Sequence, residues 1–138
     1  MRNLKRALSL VMAMAMLIGM MTIGASAVSA SDFTDADEIV NTEAVSVLTT
    51  LNVINGKEDG SYFDPTGIVT RAEMAKMITV ALHGGEEPVL GTKTNPSYSD
   101  IKGHWAESYI EYCTSVGIIS GRGNGKFDPA ATVTVAEA

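Results

Sequence analysis

Residues 53–73 read VINGKEDGSYFDPTGIVTRAE, and residues 118–137 read IISGRGNGKFDPAATVTVAE. Val53-Ile54-Asn55-Gly56 aligns with Ile118-Ile119-Ser120-Gly121 at an offset of 65 residues, and Phe63-Asp64-Pro65 aligns with Phe127-Asp128-Pro129 at 64. The single-residue step falls where Ser61-Tyr62 faces Lys126 alone. Working outward, Phe33-Thr34-Asp35 and Tyr98-Ser99-Asp100 open the two copies, and Thr70-Arg71-Ala72-Glu73 meets Thr134-Val135-Ala136-Glu137 near their ends. A repeat of this length is one supersecondary unit that buries its apolar face on a neighbour, so the duplication sets the architecture.

Within the first copy, Ala44, Val45, Val47, Leu48 and Leu51 recur at helical spacing and predict a helix over 42–51. In the second copy Trp105, Tyr109, Ile110, Cys113 and Val116 predict its counterpart over 105–115, with Cys113 as a small core residue. Thr70 and Glu73 form a capping box, in which each side chain satisfies a backbone N–H left free by the first turn. A helix over 71–83 follows, with Met74, Met77, Ile78, Ala81 and Leu82 as its apolar stripe and Gly84-Gly85 as its stop. The expected fold is mainly α, with tandem helical-hairpin repeats: residues 31–85, then a linker over 86–97, then residues 98–138. The second copy stops at Ala138, where the first opens its long helix. The expectation is therefore a piece of a longer protein with part of the second repeat's apolar face uncovered.

Met1 to Arg6 carries three basic residues, and no charge follows from Ala7 to Gly24. Ala25-Ser26-Ala27 and Val28-Ser29-Ala30 each supply a small-x-small cleavage pattern, so residues 1–30 read as an export signal, cut after Ala27 or Ala30. Removing them takes the formal charge from −6 to −9, because that stretch holds three basic residues and no acidic one. An acidic domain without basic clusters repels phosphate, which argues against nucleic acid and anionic membrane surfaces as partners. No membrane insertion is expected to persist after cleavage. Cys113 is the sole cysteine, so no internal disulfide is expected.

The ordered elements Tyr98-Ser99-Asp100, His104-Trp105-Ala106, Gly117-Ile118-Ile119-Ser120-Gly121, Gly125-Lys126-Phe127-Asp128-Pro129 and Thr70-Arg71-Ala72-Glu73 resemble the S-layer homology family of bacterial cell-surface proteins. The resemblance covers nearly everything after residue 32. It implies a pseudo-threefold bundle normally built from three such repeats, with grooves between neighbours. It implies as partner a secondary cell-wall polysaccharide, often pyruvylated and linked to peptidoglycan, and hence a secreted, wall-anchored location. Arg71 then becomes the candidate for the pyruvyl carboxylate, through its planar fork of donors and the free N–H groups of a helix's first turn. Trp105 is the candidate for stacking on a sugar face and Asp100 for accepting from sugar hydroxyls. Gly56 and Gly121 are candidates for close approach of backbone to ligand. The first repeat has Ile39-Val40 in place of His104-Trp105, and the second has Val135 in place of Arg71. A composite site is therefore expected, with Arg71 from one copy facing Trp105 and Asp100 from the other.

Other chemistries fit poorly. Lys57 and Thr66 stand where a calcium loop over residues 55–66 needs oxygen ligands. Gly121-Arg122-Gly123-Asn124-Gly125 has no preceding strand to make it a nucleotide loop. No nucleophile elbow, zinc-protease helix or catalytic carboxylate pair is present, so neither an enzyme, a cofactor nor a metal is expected. The function expected is non-covalent wall anchoring. The alternatives are an S-layer structural subunit, or the anchor of a surface polysaccharide hydrolase whose catalytic domain lies beyond Ala138.

Overall fold

The computed structural model describes residues 28–57 and 59–137. Most of the expected export segment, up to Ala27, lies outside the described residues, while Val28 to Ala30 lie inside. Among the described residues are three α-helices, α1 (Thr42–Thr50), α2 (Arg71–Leu82) and α3 (Glu107–Ser115), preceded by 3-10 turns at Ala30–Asp32 and Ala36–Glu38. Among the described residues there is no strand, only isolated bridges such as Lys57 with Tyr62 and Thr70 with Thr132. The helices agree with the expected ones to within two residues at each end, and α3 begins after Trp105 because Ala106 is its N-cap.

The two copies are built by the same hydrogen bonds. Asp35 accepts from the Phe63 and Asp64 N–H groups at 2.9 and 2.7 Å, and Asp100 accepts from those of Phe127 and Asp128 at 2.9 and 2.8 Å. The aromatic two residues earlier packs on the same loop: Phe33 lies 5.4 Å from Phe63 and Tyr98 lies 5.5 Å from Phe127, centroid to centroid. Lys57 N–H donates to Tyr62 O, and Arg122 N–H to Lys126 O, so the one-residue step sits in the hairpin between those pairs.

Sequence repeat and packing unit do not coincide. The expected hairpin within each copy pairs α1 with α2, yet α2 packs on α3 of the other copy, whereas α1 packs on the 3-10 turn at Ala30–Asp32. One core cluster joins Ala72 and Ala75 of α2 to Ile101, Ala106, Ile110 and Phe127, and a second gathers Ala30, Phe33, Ile39 and Val45. The buried face of α2 is consequently Arg71, Ala72, Ala75, Thr79 and Val80. Met74, Met77 and Ile78 of the expected stripe are half-buried, and Leu82 is exposed. Small residues win that interface because they let two helix backbones approach. Thr79 Oγ1 there bonds to Ala75 O at 2.8 Å and meets Cys113 Sγ at 3.2 Å. Cys113 is fully buried, as the periodicity suggests. On α1, Val45 and Thr49 are buried, whereas Ala44, Val47 and Leu51 of the expected face are exposed.

The connector expected over 86–97 is largely exposed but tied down. Glu111 is 4% exposed and takes the Ser97 hydroxyl at 2.8 Å, the Ser97 N–H and the Lys93 ammonium, while Tyr109 donates to Glu87. Burial pushes the Glu111 carboxyl up, but Lys93 and Ser97 outweigh it and hold it below the usual carboxylate range.

Candidate functional site

The N-terminus of α2 is closed by a capping box. Thr70 N–H donates to Glu73 Oε2 at 2.7 Å, and Glu73 N–H donates back to Thr70 Oγ1 at 3.2 Å, completing the capping box. The next orphan donors do not point at solvent. Arg71 N–H donates to Ala131 O at 2.9 Å and Ala72 N–H to Pro129 O at 3.0 Å, so the second repeat closes the helix end. The expected anion site at that terminus is therefore corrected: its N–H groups are occupied within the protein. Thr134 and Glu137 repeat the arrangement, Thr134 N–H donating to the Glu137 carboxylate at 3.0 Å. That bond leads, and Arg122 adds to, the lowering of the Glu137 carboxyl to about 2.

The Arg71 side chain is 9% exposed. Its Nε donates to Phe127 O at 2.9 Å, Nη2 to Ser120 O at 2.7 Å and Nη1 to Glu137 at 3.0 Å, and the guanidinium carbon stands 4.3 Å from the Phe127 ring centroid. Such a fork ties three segments of the second repeat to the first turn of α2. The neighbour that pairs with it is Glu137, not the nearby Glu73.

Between the repeats lies a groove of about 330 Å³. Its walls are Val53 to Lys57, the Phe63 to Val69 loop without Thr66, Glu73, Lys76 and Met77 of α2, and Trp105 from the second copy. A larger, more open hollow of about 480 Å³ is lined by Ser29, Asp37, Glu43 and Ser46 among others, with no aromatic or basic side chain. The groove has both. Trp105 is 57% exposed, a large cost for an indole unless something covers it in use. It is held in place from behind: His104 and Tyr109 stand 5.5 and 6.4 Å from it, and Ala106 N–H donates to His104 Nδ1 at 3.1 Å. Lys76 Nζ lies 5.9 Å over the Tyr109 ring and 3.5 Å from Glu87, and Lys57 Nζ lies 2.8 Å from Asp64. The hydrogen bond from Tyr109 to Glu87 pushes the Tyr109 phenol up to about 12.

Of the five residues singled out in the sequence, Trp105 and Gly56 line the groove, whereas Arg71, Asp100 and Gly121 do not. Both oxygens of Asp100 accept backbone N–H groups; burial raises its carboxyl, but those bonds bring it below the usual value. Gly56 has φ of +77°, and a Cβ there would come 2.8 Å from the Phe33 ring. At Gly121 a Cβ would meet the Tyr98 ring and come 2.6 Å from Lys126 O. Both glycines make room for the aromatic that opens their own repeat. Lys57 and Lys76 were not singled out, because nothing in their local pattern marks them; only their meeting with Trp105 across the repeats does.

The S-layer homology domain model matches residues 32–75 and 97–138. The chain is 31% identical over 140 residues to a cell surface protein of Thermoanaerobacter kivui, covering 100% of this chain and 18% of that protein. It is 34% identical over 94 residues to a cellulosome-anchoring protein of Acetivibrio thermocellus, covering 68% of this chain and 21% of that protein. To an S-layer protein of Bacillus licheniformis it is 30% identical over 106 residues, covering 77% of this chain and 12% of that protein. No solved structure matches the chain. With both copies matched, and the motifs of each performing the same structural task in the fold, the chain belongs to the S-layer homology domain family.

Proposed function

We propose that this chain holds an exported protein non-covalently on the bacterial cell wall by binding an anionic, peptidoglycan-linked polysaccharide in the groove between its repeats. The observation that carries this reading is Trp105, 57% exposed at a groove that also presents Lys57 and Lys76. An indole face stacks on the apolar side of a sugar ring. An ammonium group meets a carboxylate such as that of a pyruvyl ketal. The lysines have acidic partners, but these pairs are exposed, and exposed pairs contribute about 0–1 kcal/mol. A ligand carboxylate therefore displaces Glu87 from Lys76 at little cost. Arg71 and Asp100 serve as positioning residues: one joins the repeats, and the other shapes the loop through Phe127 and Asp128.

The names of the relatives fit a surface location, and no catalytic group is assigned. The chain spans 18%, 21% and 12% of the length of these three relatives, so the activity of a whole protein carrying it, whether lattice subunit or anchored hydrolase, lies outside this reading. Co-sedimentation with purified wall sacculi is the test. Trp105→Ala is expected to abolish retention without a change in melting temperature, and Lys76→Gln to weaken it in a salt-dependent way. Sacculi stripped of polysaccharide should retain nothing, and those freed only of ketal groups should retain less. Undiminished retention of Trp105→Ala overturns the groove as the site.

A further inference from the structure

Two cleavage points, after Ala27 and after Ala30, follow the apolar run, and the fold distinguishes them. Ala30 is 2% exposed in the cluster with Phe33, Ile39 and Val45, and its N–H donates to Ser46 Oγ on α1 at 3.0 Å. Ser29 N–H donates to the Asp32 carboxylate at 2.7 Å, and Ser29 O accepts from Asp32 N–H at 3.0 Å, closing the first 3-10 turn. Val28 O accepts from the Thr49 hydroxyl at 2.7 Å, in the last turn of α1. Val28 to Ala30 is therefore a strap running along α1 and part of the first repeat's core, and a cut after Ala30 discards it. Such a cut also places the charged α-amino group of Ser31 beside the apolar cluster. A cut after Ala27 keeps the strap and sets the new ammonium beside the C-terminal turn of α1, where the partial negative charge of the helix favours a cation.

We propose that the mature protein begins at Val28. This rests on the reading of the leading residues as an export signal. The bond hydrolysed is the Ala27–Val28 amide: a signal peptidase adds the hydroxyl of a water to the Ala27 carbonyl carbon, which departs as a carboxylate with the leader. The nitrogen keeps its own hydrogen and takes both protons of the water, one as the hydroxyl adds and the other as the new carboxyl ionises, to become the Val28 ammonium, and nothing is oxidised or reduced. Ala25-Ser26-Ala27 also places alanine at both small positions, whereas the later point has Val28 at the first.

The full chain is expressed in a secreting Gram-positive host, and the secreted product is read by intact mass and N-terminal sequencing. Val28 at the terminus is the result expected. Ser31 at the terminus overturns the proposal and leaves the export reading standing, whereas an uncleaved product overturns both. A second measurement tests the strap itself: recombinant proteins beginning at Val28 and at Ser31 are melted side by side. The shorter form is expected to melt at least about 5 °C lower, or to be unfolded throughout. Equal melting temperatures overturn the structural basis whatever the terminus found.

Discussion

Replacing Arg71 with alanine separates a structural from a ligand-binding guanidinium. The substitution removes charge-assisted bonds to Phe127 O and Ser120 O and the contact with the Phe127 ring, in a side chain 9% exposed. Bonds to charged groups contribute about 1.5–3 kcal/mol each, and a cation over an aromatic ring about 0.5–2 kcal/mol. The Glu137 contact adds little, because Glu137 keeps Arg122 at 2.9 Å. Water entering the gap recovers part of the loss, which leaves about 3–5 kcal/mol, the usual cost of breaking a buried charged pair. For a domain of this size that lowers the melting temperature by at least about 12 °C. Arg71→Lys, which keeps the charge without the fork, should fall between. The assay is thermal unfolding followed by circular dichroism, with sacculus binding measured well below the variant's melting point. An Arg71→Ala protein that melts within about 3 °C of the parent yet no longer binds refutes the bracing role and returns the guanidinium to the ligand.

Acid should unfold the protein in a defined window. The carboxyls of Asp35 and Asp100 lie below their ordinary values and that of Glu137 lies at about 2. Folded values below unfolded ones mean that the stabilisation is complete above the unfolded values, near pH 4, and lost as pH falls through the folded ones. The melting temperature should be level above about pH 5 and drop between about pH 4.5 and 2, with a shallower drop for Asp100→Asn. Burial raises the Cys113 thiol, and the group is fully enclosed, so thiol reagents should label it only on unfolding, at the rate of the unfolding step. Gly121→Ala should cost about 1–3 kcal/mol, read by denaturant melts, because the new methyl group overlaps Lys126 O and the Tyr98 ring. Glu111→Gln weakens the hold on Lys93 and Ser97, and trypsin should then cut after Lys93 several-fold faster.

The capping box at Thr70 and Glu73 was legible because both its partners lie within one turn, and it located α2 correctly. The orientation of that helix was not. α2 carries apolar residues on two sides, and hydropathy alone cannot say which side meets a partner; Ala72, Ala75 and Thr79 won because small side chains admit α3. The structural bonds of Asp100 could not be read in advance because they go to residues 27 and 28 positions away, beyond any local pattern. The partners of Arg71 were hidden for the same reason, since Phe127, Ser120 and Glu137 come to it only through the packing of one repeat on the other. The resemblance offered Trp105 for stacking while the periodicity set it on an apolar helix face, and the fold leaves its indole 57% exposed; Lys76 depends on which face of α2 turns toward the groove, and Lys57 on the course of the loop after α1.

Because α2 completes the core of the copy that follows it, the sequence period and the folding unit are out of phase. Severing the chain in the connector would leave the upstream half with a helix whose partner has gone, and the downstream half with an open core. Cassettes meant for transplantation or reordering are better divided in the loop between α1 and α2, beyond Phe63 and Asp64, so that the downstream piece keeps the α2–α3 pair and the upstream piece keeps α1 with its 3-10 turn. Shuffling at that joint should produce soluble chimaeras, whereas shuffling at the visible period should produce aggregates.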